Sequence, residues 1–124
     1  MNSSYPSYQK TAALCAVLFA SLAACLLLWP PLIYWIFRID QAPSADILGR
    51  RAAMLFAGMT SLMATTRHHP PSATRTAIAQ AVAVSMIGLA VLGTVEWLQG
   101  NVGPGIGLAV SVELVLATML LRAR

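Results

Sequence analysis

Four apolar stretches alternate with short polar connections along the chain. Each is close to the roughly 20 residues that a helix needs to cross a hydrocarbon core about 30 Å thick. They predict an all-α fold, a four-transmembrane-helix bundle of an integral membrane protein, with spans at about 11–37, 45–66, 73–98 and 103–121. A polar tail, residues 1–10, precedes this single domain, which takes up residues 11–124. The first stretch meets Pro30-Pro31, where missing N–H groups and crowding rings end or kink a helix. The piece beyond holds Tyr34, Trp35 and Phe37, aromatics of the kind that gather at a membrane interface. It is expected to continue the first helix at an angle or to lie along the headgroups.

The second helix is expected after Ser44, a good N-cap, with Asp46 placed to suit the helix dipole. Its uninterrupted apolar part, residues 52–66, covers only about 22 Å. The helix must therefore begin before Arg50-Arg51 and hold that pair at the hydrocarbon edge, where long side chains snorkel outward. Arg67-His68-His69-Pro70-Pro71 reads as a tight polar connection. Adjacent histidines do not share a helix face, and no third ligand lies near them in sequence, so no metal site is read there. Ser72 or Thr74 caps the third helix, Gly100 ends it in a left-handed conformation, and Gly103-Pro104 opens the fourth.

Composition sharpens this picture. The chain is 58% hydrophobic and 10% charged, against about 25% charged in soluble domains, which leaves little chain for a soluble domain. The net charge of +4 does not point to nucleic acid, because the basic residues sit at helix ends and form no stripe. They fit topology and anionic headgroups better. With four spans, Lys10, Arg67, Arg75, Arg122 and Arg124 share the face of both termini, and Arg38, Arg50 and Arg51 share the other. That bias places both termini in the cytoplasm, with the bacterial inner membrane as the expected location. Cys15 and Cys25 lie about 15 Å apart along one helix, too far for a disulfide, and read as buried thiols. Leu22-Ala23-Ala24-Cys25 matches a lipoprotein cleavage pattern, but Leu26-Leu27-Leu28-Trp29 continues apolar, so an uncleaved span is expected.

The candidate chemistry is sparse. Glu113 lies near the middle of the last apolar stretch, and an ionisable group at that depth is a proton or ligand site candidate. It is expected as the neutral acid, donating a hydrogen bond to a backbone carbonyl, Ser61, Thr60 or Gln80. Glu96 is expected to pair with Arg50 or Arg51 in a charge cluster at the outer edge. Ala77, Ala81 and Ser85 in the third helix, and Gly103, Gly107 and Ser111 in the fourth, recur every four residues, a spacing that lets membrane helices approach closely. No catalytic set, metal site or cofactor is read. The expected partners are membrane lipids and either a second copy or another membrane protein.

The layout resembles the small bacterial four-helix membrane proteins grouped as DoxX-like and related families. The matching features are the proline-and-aromatic end of the first span, Leu48-Gly49-Arg50-Arg51-Ala52-Ala53 opening the second helix, and acids at Glu96 and Glu113. The resemblance implies the fold and the membrane location. It also implies a link to quinone-related redox complexes, although haem is not expected, since His68 and His69 are adjacent in a connection. Small multidrug exporters, also four-span, carry their essential acid in the first helix, where this chain has none. The leading expectation is a non-enzymatic accessory subunit or lipid- and partner-binding protein. The alternatives are a dimeric proton-coupled transporter working through Glu113 and a quinone-associated redox subunit.

Overall fold

The computed structural model describes residues 7–123. They are all-α, with five helices: α1 (Tyr8–Leu28), α2 (Pro30–Phe37), α3 (Pro43–Thr66), α4 (Ala73–Leu98) and α5 (Ile106–Ala123). Three of these, α1, α4 and α5, are long and apolar enough to cross a membrane. The fourth long helix, α3, has 24 residues but is not among them. Asp46, Arg50, Arg51 and a closing run of threonines and serine dilute its apolar centre.

Local chemistry explains most of the boundaries. Most of the expected polar tail lies outside the described residues, but its end does not behave as a tail. Ser7 caps α1 by accepting the Lys10 N–H, so the helix starts at Tyr8, earlier than the hydropathy pattern suggests. The chain breaks at Trp29 (φ −145°, ψ 61°), and Pro30 occupies the first turn of α2. The expected single span 11–37 is thus two helices. The cap of α3 is Ala42, not Ser44, because Pro43 takes the first helical position, where its fixed φ fits and its missing N–H is not needed. Ser72 accepts the Arg75 N–H and caps α4. At the far end of α4, Gly100 has φ +78°, the Gly100 N–H reaches the Trp97 carbonyl, and the Asn101 N–H reaches that of Glu96. This pair of bonds is a Schellman ending, and it satisfies two of the terminal carbonyls. The last helix starts at Ile106, three residues after Gly103.

The four long helices run alternately up and down, and α1 lies along α3 while α4 lies along α5. The two pairs meet mainly where α1 touches α5. The main core joins Tyr8, Ala12, Cys15 and Phe19 of α1 to Met63 of α3, Ala79, Val82, Ala83 and Met86 of α4, and Leu116, Ala117 and Leu120 of α5. Phe19 and Phe56 stack tilted at 6.0 Å. A smaller cluster of Ala23, Leu26 and Ala53 fills the space toward α2. The loop after α4 straps α2 to the α4–α5 pair: the Gly103 N–H donates to the Phe37 carbonyl at 2.8 Å. Arg38, in the left-handed region at φ 54°, ends α2 beneath it.

Candidate functional site

Glu113 sits on the packed stripe of α5. Leu116 and Ala117, one turn on, are buried, as is Leu120 beyond them, while Glu113 itself is partly buried. Among the described residues its side chain makes no hydrogen bond or ion pair. None of the expected side-chain partners reaches it. Thr60 donates to the Phe56 carbonyl of its own helix, and Ser61 and Gln80 are exposed. Gln80 follows the buried Ala79 and precedes the buried Val82, so it points off the core face of α4. The expectation of a donated bond is therefore corrected: among the described residues the acid stands in an apolar helix without a side-chain hydrogen-bond partner.

The expected pairing of Glu96 with Arg50 or Arg51 is not formed among the described residues. Glu96 Oε2 accepts from the Asn101 side-chain amide at 2.7 Å, and Arg50 and Arg51 are exposed. The pair fails because helices at the same level need not be neighbours. Arg50 and Arg51 ride on α3, which packs on α1, and Glu96 rides on α4, which packs on α5. The polar contact formed at this end is one the sequence reading missed. Tyr34 Oη donates to Asp46 Oδ1 at 2.6 Å, tying α2 to the first turn of α3, and Tyr34 is buried. The hydrogen bond to Asp46, then burial and the negative charge of Asp46, raise the Tyr34 pKa above its ordinary value, and Arg50 opposes this. A group with a raised folded pKa contributes stability below its unfolded pKa and loses it as pH climbs through the folded value. The protein should therefore lose stability above about pH 10, and Tyr34→Phe should remove that part of the loss. Thermal melts of parent and variant across alkaline pH would check this; an equal fall of both midpoints above about pH 10 would refute it.

The small-residue positions fall on outer faces. Ala77, Ala81, Ser85 and Ser111 are exposed, and a Cβ added at Gly107 would meet nothing within 4 Å. Gly103 precedes α5 and is not part of a helical ridge. A Cβ there would come 2.7 Å from Arg38 Cγ, so its role is close approach to α2. Cys15 and Cys25 are both free, with Cys15 buried.

The opposite end of the bundle gathers more polar side chains than expected. Tyr8 is in hydrogen-bond contact with Thr66 at 3.2 Å, and its ring carries the Arg75 guanidinium 4.4 Å from the centroid. Arg75 donates to the His69 carbonyl at 2.9 Å and to that of Ala123 at 3.5 Å. One side chain thus ties together the α3–α4 turn, the start of α1 and the end of α5. A sequence signal existed: Tyr8, Ala12, Cys15 and Phe19 follow the four-three-four spacing of one helix face. Gln9 and Lys10 between them masked it. Comparison with family models, with curated proteins and with solved structures gives no match.

Proposed function

We propose that the chain is a small multi-pass integral membrane protein without catalytic activity of its own, which packs against a membrane-protein partner or a second copy. The observation that carries this reading is the outer surface. Leu28 and Leu98 are each 79% exposed and Leu55 is 73% exposed, while the buried positions of α4 hold only alanine, valine and methionine. A water-soluble bundle turns polar residues outward, whereas a helix apolar on all sides suits lipid or a large core. Alongside these side chains the exposed Ala77, Ala81 and Ser85 offer a face that another helix can approach closely. In this reading α3 crosses as the fourth span, with Arg50 and Arg51 reaching the headgroups, and α2 lies at the interface. The balance of basic residues supports cytoplasmic termini, and a bacterial inner membrane is the proposed location. Native mass spectrometry after gentle extraction is the test. A heavier membrane protein in fixed ratio, or a homodimer, is expected; a bare monomer in lipid would overturn the reading.

A second reading rests on Glu113. A lone acid on a packed face of an apolar span supports proton-coupled transport by a dimer. Infrared titration of its carboxyl band against Glu113→Gln is the check. A band that does not change from acid to alkaline pH would remove proton exchange.

A further inference from the structure

We propose that the end of the bundle where α1 begins and α3 turns into α4 holds a site for a phosphoryl anion, recognised chiefly by Arg67 and His68. An open cleft of about 260 Å³ lies there, with Gln9, Arg67, His68, His69 and Arg75 in its walls and no acidic side chain among its lining residues. The donors are incompletely used. Among the described residues Arg67 uses only Nε, on the Gln9 carbonyl at 3.3 Å, and both of its terminal nitrogens stand ready for a ligand. The Gln9 side-chain amide lies 2.6 Å from His68 Nδ1. With the amide nitrogen donating, Nδ1 accepts, and the proton of a neutral His68 sits on Nε2 as an outward donor. Arg75 is held over the Tyr8 ring and keeps the turn in place; it positions the site.

A second observation comes from the layer beneath. The described residues have two buried side-chain polar atoms without a hydrogen-bond partner, Arg75 Nε and Thr11 Oγ1. Thr11 is fully buried and lies one turn along α1 from Tyr8, whose ring carries Arg75. Both orphans therefore fall at this end of the bundle. Buried polar groups are rarely left unpaired, and both exceptions among the described residues lie at or beneath the cleft, Arg75 in its wall and Thr11 in the layer below. Lys10 adds positive charge at the same end, and Asp40, Asp46 and Glu96 all lie at the other.

A planar guanidinium offers two parallel donors that match phosphate oxygens, and arginine recognises phosphoryl groups on that account. The anion can come from a phospholipid headgroup or from free phosphate. Only the lipid source rests on the membrane reading given above.

The test uses the full chain in phosphatidylcholine nanodiscs, titrated with inorganic phosphate in one arm and enriched in phosphatidic acid in the other. Lipid retention is read by native mass spectrometry and phosphate binding by calorimetry. One of the two ligands should bind at one per chain. Binding should weaken about tenfold in Arg67→Gln, the loss expected for a hydrogen bond to a charged group, and should return in part in Arg67→Lys. Arg51→Gln, at the far end, should bind like the parent. A response to inorganic phosphate assigns the free ion, and a response to phosphatidic acid alone assigns the headgroup. Equal loss in Arg67→Gln and Arg51→Gln would mean general attraction to positive charge and would overturn the site, as would no binding in either arm. If Arg67→Gln does not fold, His68→Ala at an exposed position serves in its place, with the same expectation. A chain that binds phosphate in detergent yet enters no disc would sink the membrane reading and leave the site standing.

Discussion

Gly105→Ala should melt far below the parent protein, while Gly107→Ala, two residues away, should not. A Cβ on Gly105 would overlap the carbonyl oxygen of Ile36 and come within 3.0 Å of its carbonyl carbon. Both are backbone atoms of α2, so no rotamer change relieves the overlap. Nor can α2 simply withdraw, because the Gly103 N–H holds the Phe37 carbonyl next to it. Either the strap lifts or α2 shifts off α3, and the second course breaks the Tyr34–Asp46 bond as well. The cost is expected near the top of the overpacking range, about 3 kcal/mol. Gly107 lies inside α5 with no neighbour within 4 Å of an added Cβ. Alanine there removes backbone freedom from the unfolded chain and should be neutral or stabilise by roughly 0.5–1 kcal/mol. Thermal melts of the two variants in the same detergent decide the matter. Equal midpoints would mean that the loop does not rest on α2. A Gly107→Ala variant that instead fell well below the parent would place a partner helix against that face of α5.

The constraint on Gly105 comes from a neighbouring helix, whereas Gly107 has no such neighbour. Features set by one or two residues were legible. Pro30-Pro31 breaks the first helix because proline does so in any setting, Ser72 caps α4, and Gly100 takes the left-handed turn. Features set by the neighbour of a helix were not. Glu96 and Arg50 were matched by depth along the bundle, but depth says nothing about which helices touch, and α3 and α4 belong to different pairs. Gly103 was read as the first step of a helical ridge because its spacing to Gly107 fits one. Its actual constraint comes from Arg38, far away in sequence and invisible to spacing. Glu113 was found from its depth alone, and its lack of a partner emerged only with the fold. The four-span expectation stands differently for each helix: α1, α4 and α5 meet it by length and hydropathy, while α3 depends on where Arg50 and Arg51 reach.

Tyr8→Ala should be the most damaging single change at the other end of the bundle, and Tyr8→Phe a mild one. Tyr8 is 3% exposed and packs into the main core beside Ala12 and Cys15. Emptying a buried aromatic site costs about 3–5 kcal/mol, and the Arg75 guanidinium loses the ring it rests on, a contact worth roughly 0.5–2 kcal/mol. Part of that second term overlaps the first, so the sum is an upper bound. The hydroxyl matters less, and the reason is directional. Thr66 Oγ1 already donates to the Leu62 carbonyl at 2.7 Å, so the Tyr8 hydroxyl must be the donor in the bond between them. Its removal leaves Thr66 with its own proton still satisfied, and the expected loss is about 1 kcal/mol. Tyr8→Phe should also keep Arg75 in place, because the ring face survives, so it should bind phosphoryl anions like the parent. Tyr8→Ala should lose both the melting midpoint and the ligand. If Tyr8→Ala melted with the parent, α1 would have to begin beyond this residue, and the helix start set by Ser7 would be wrong.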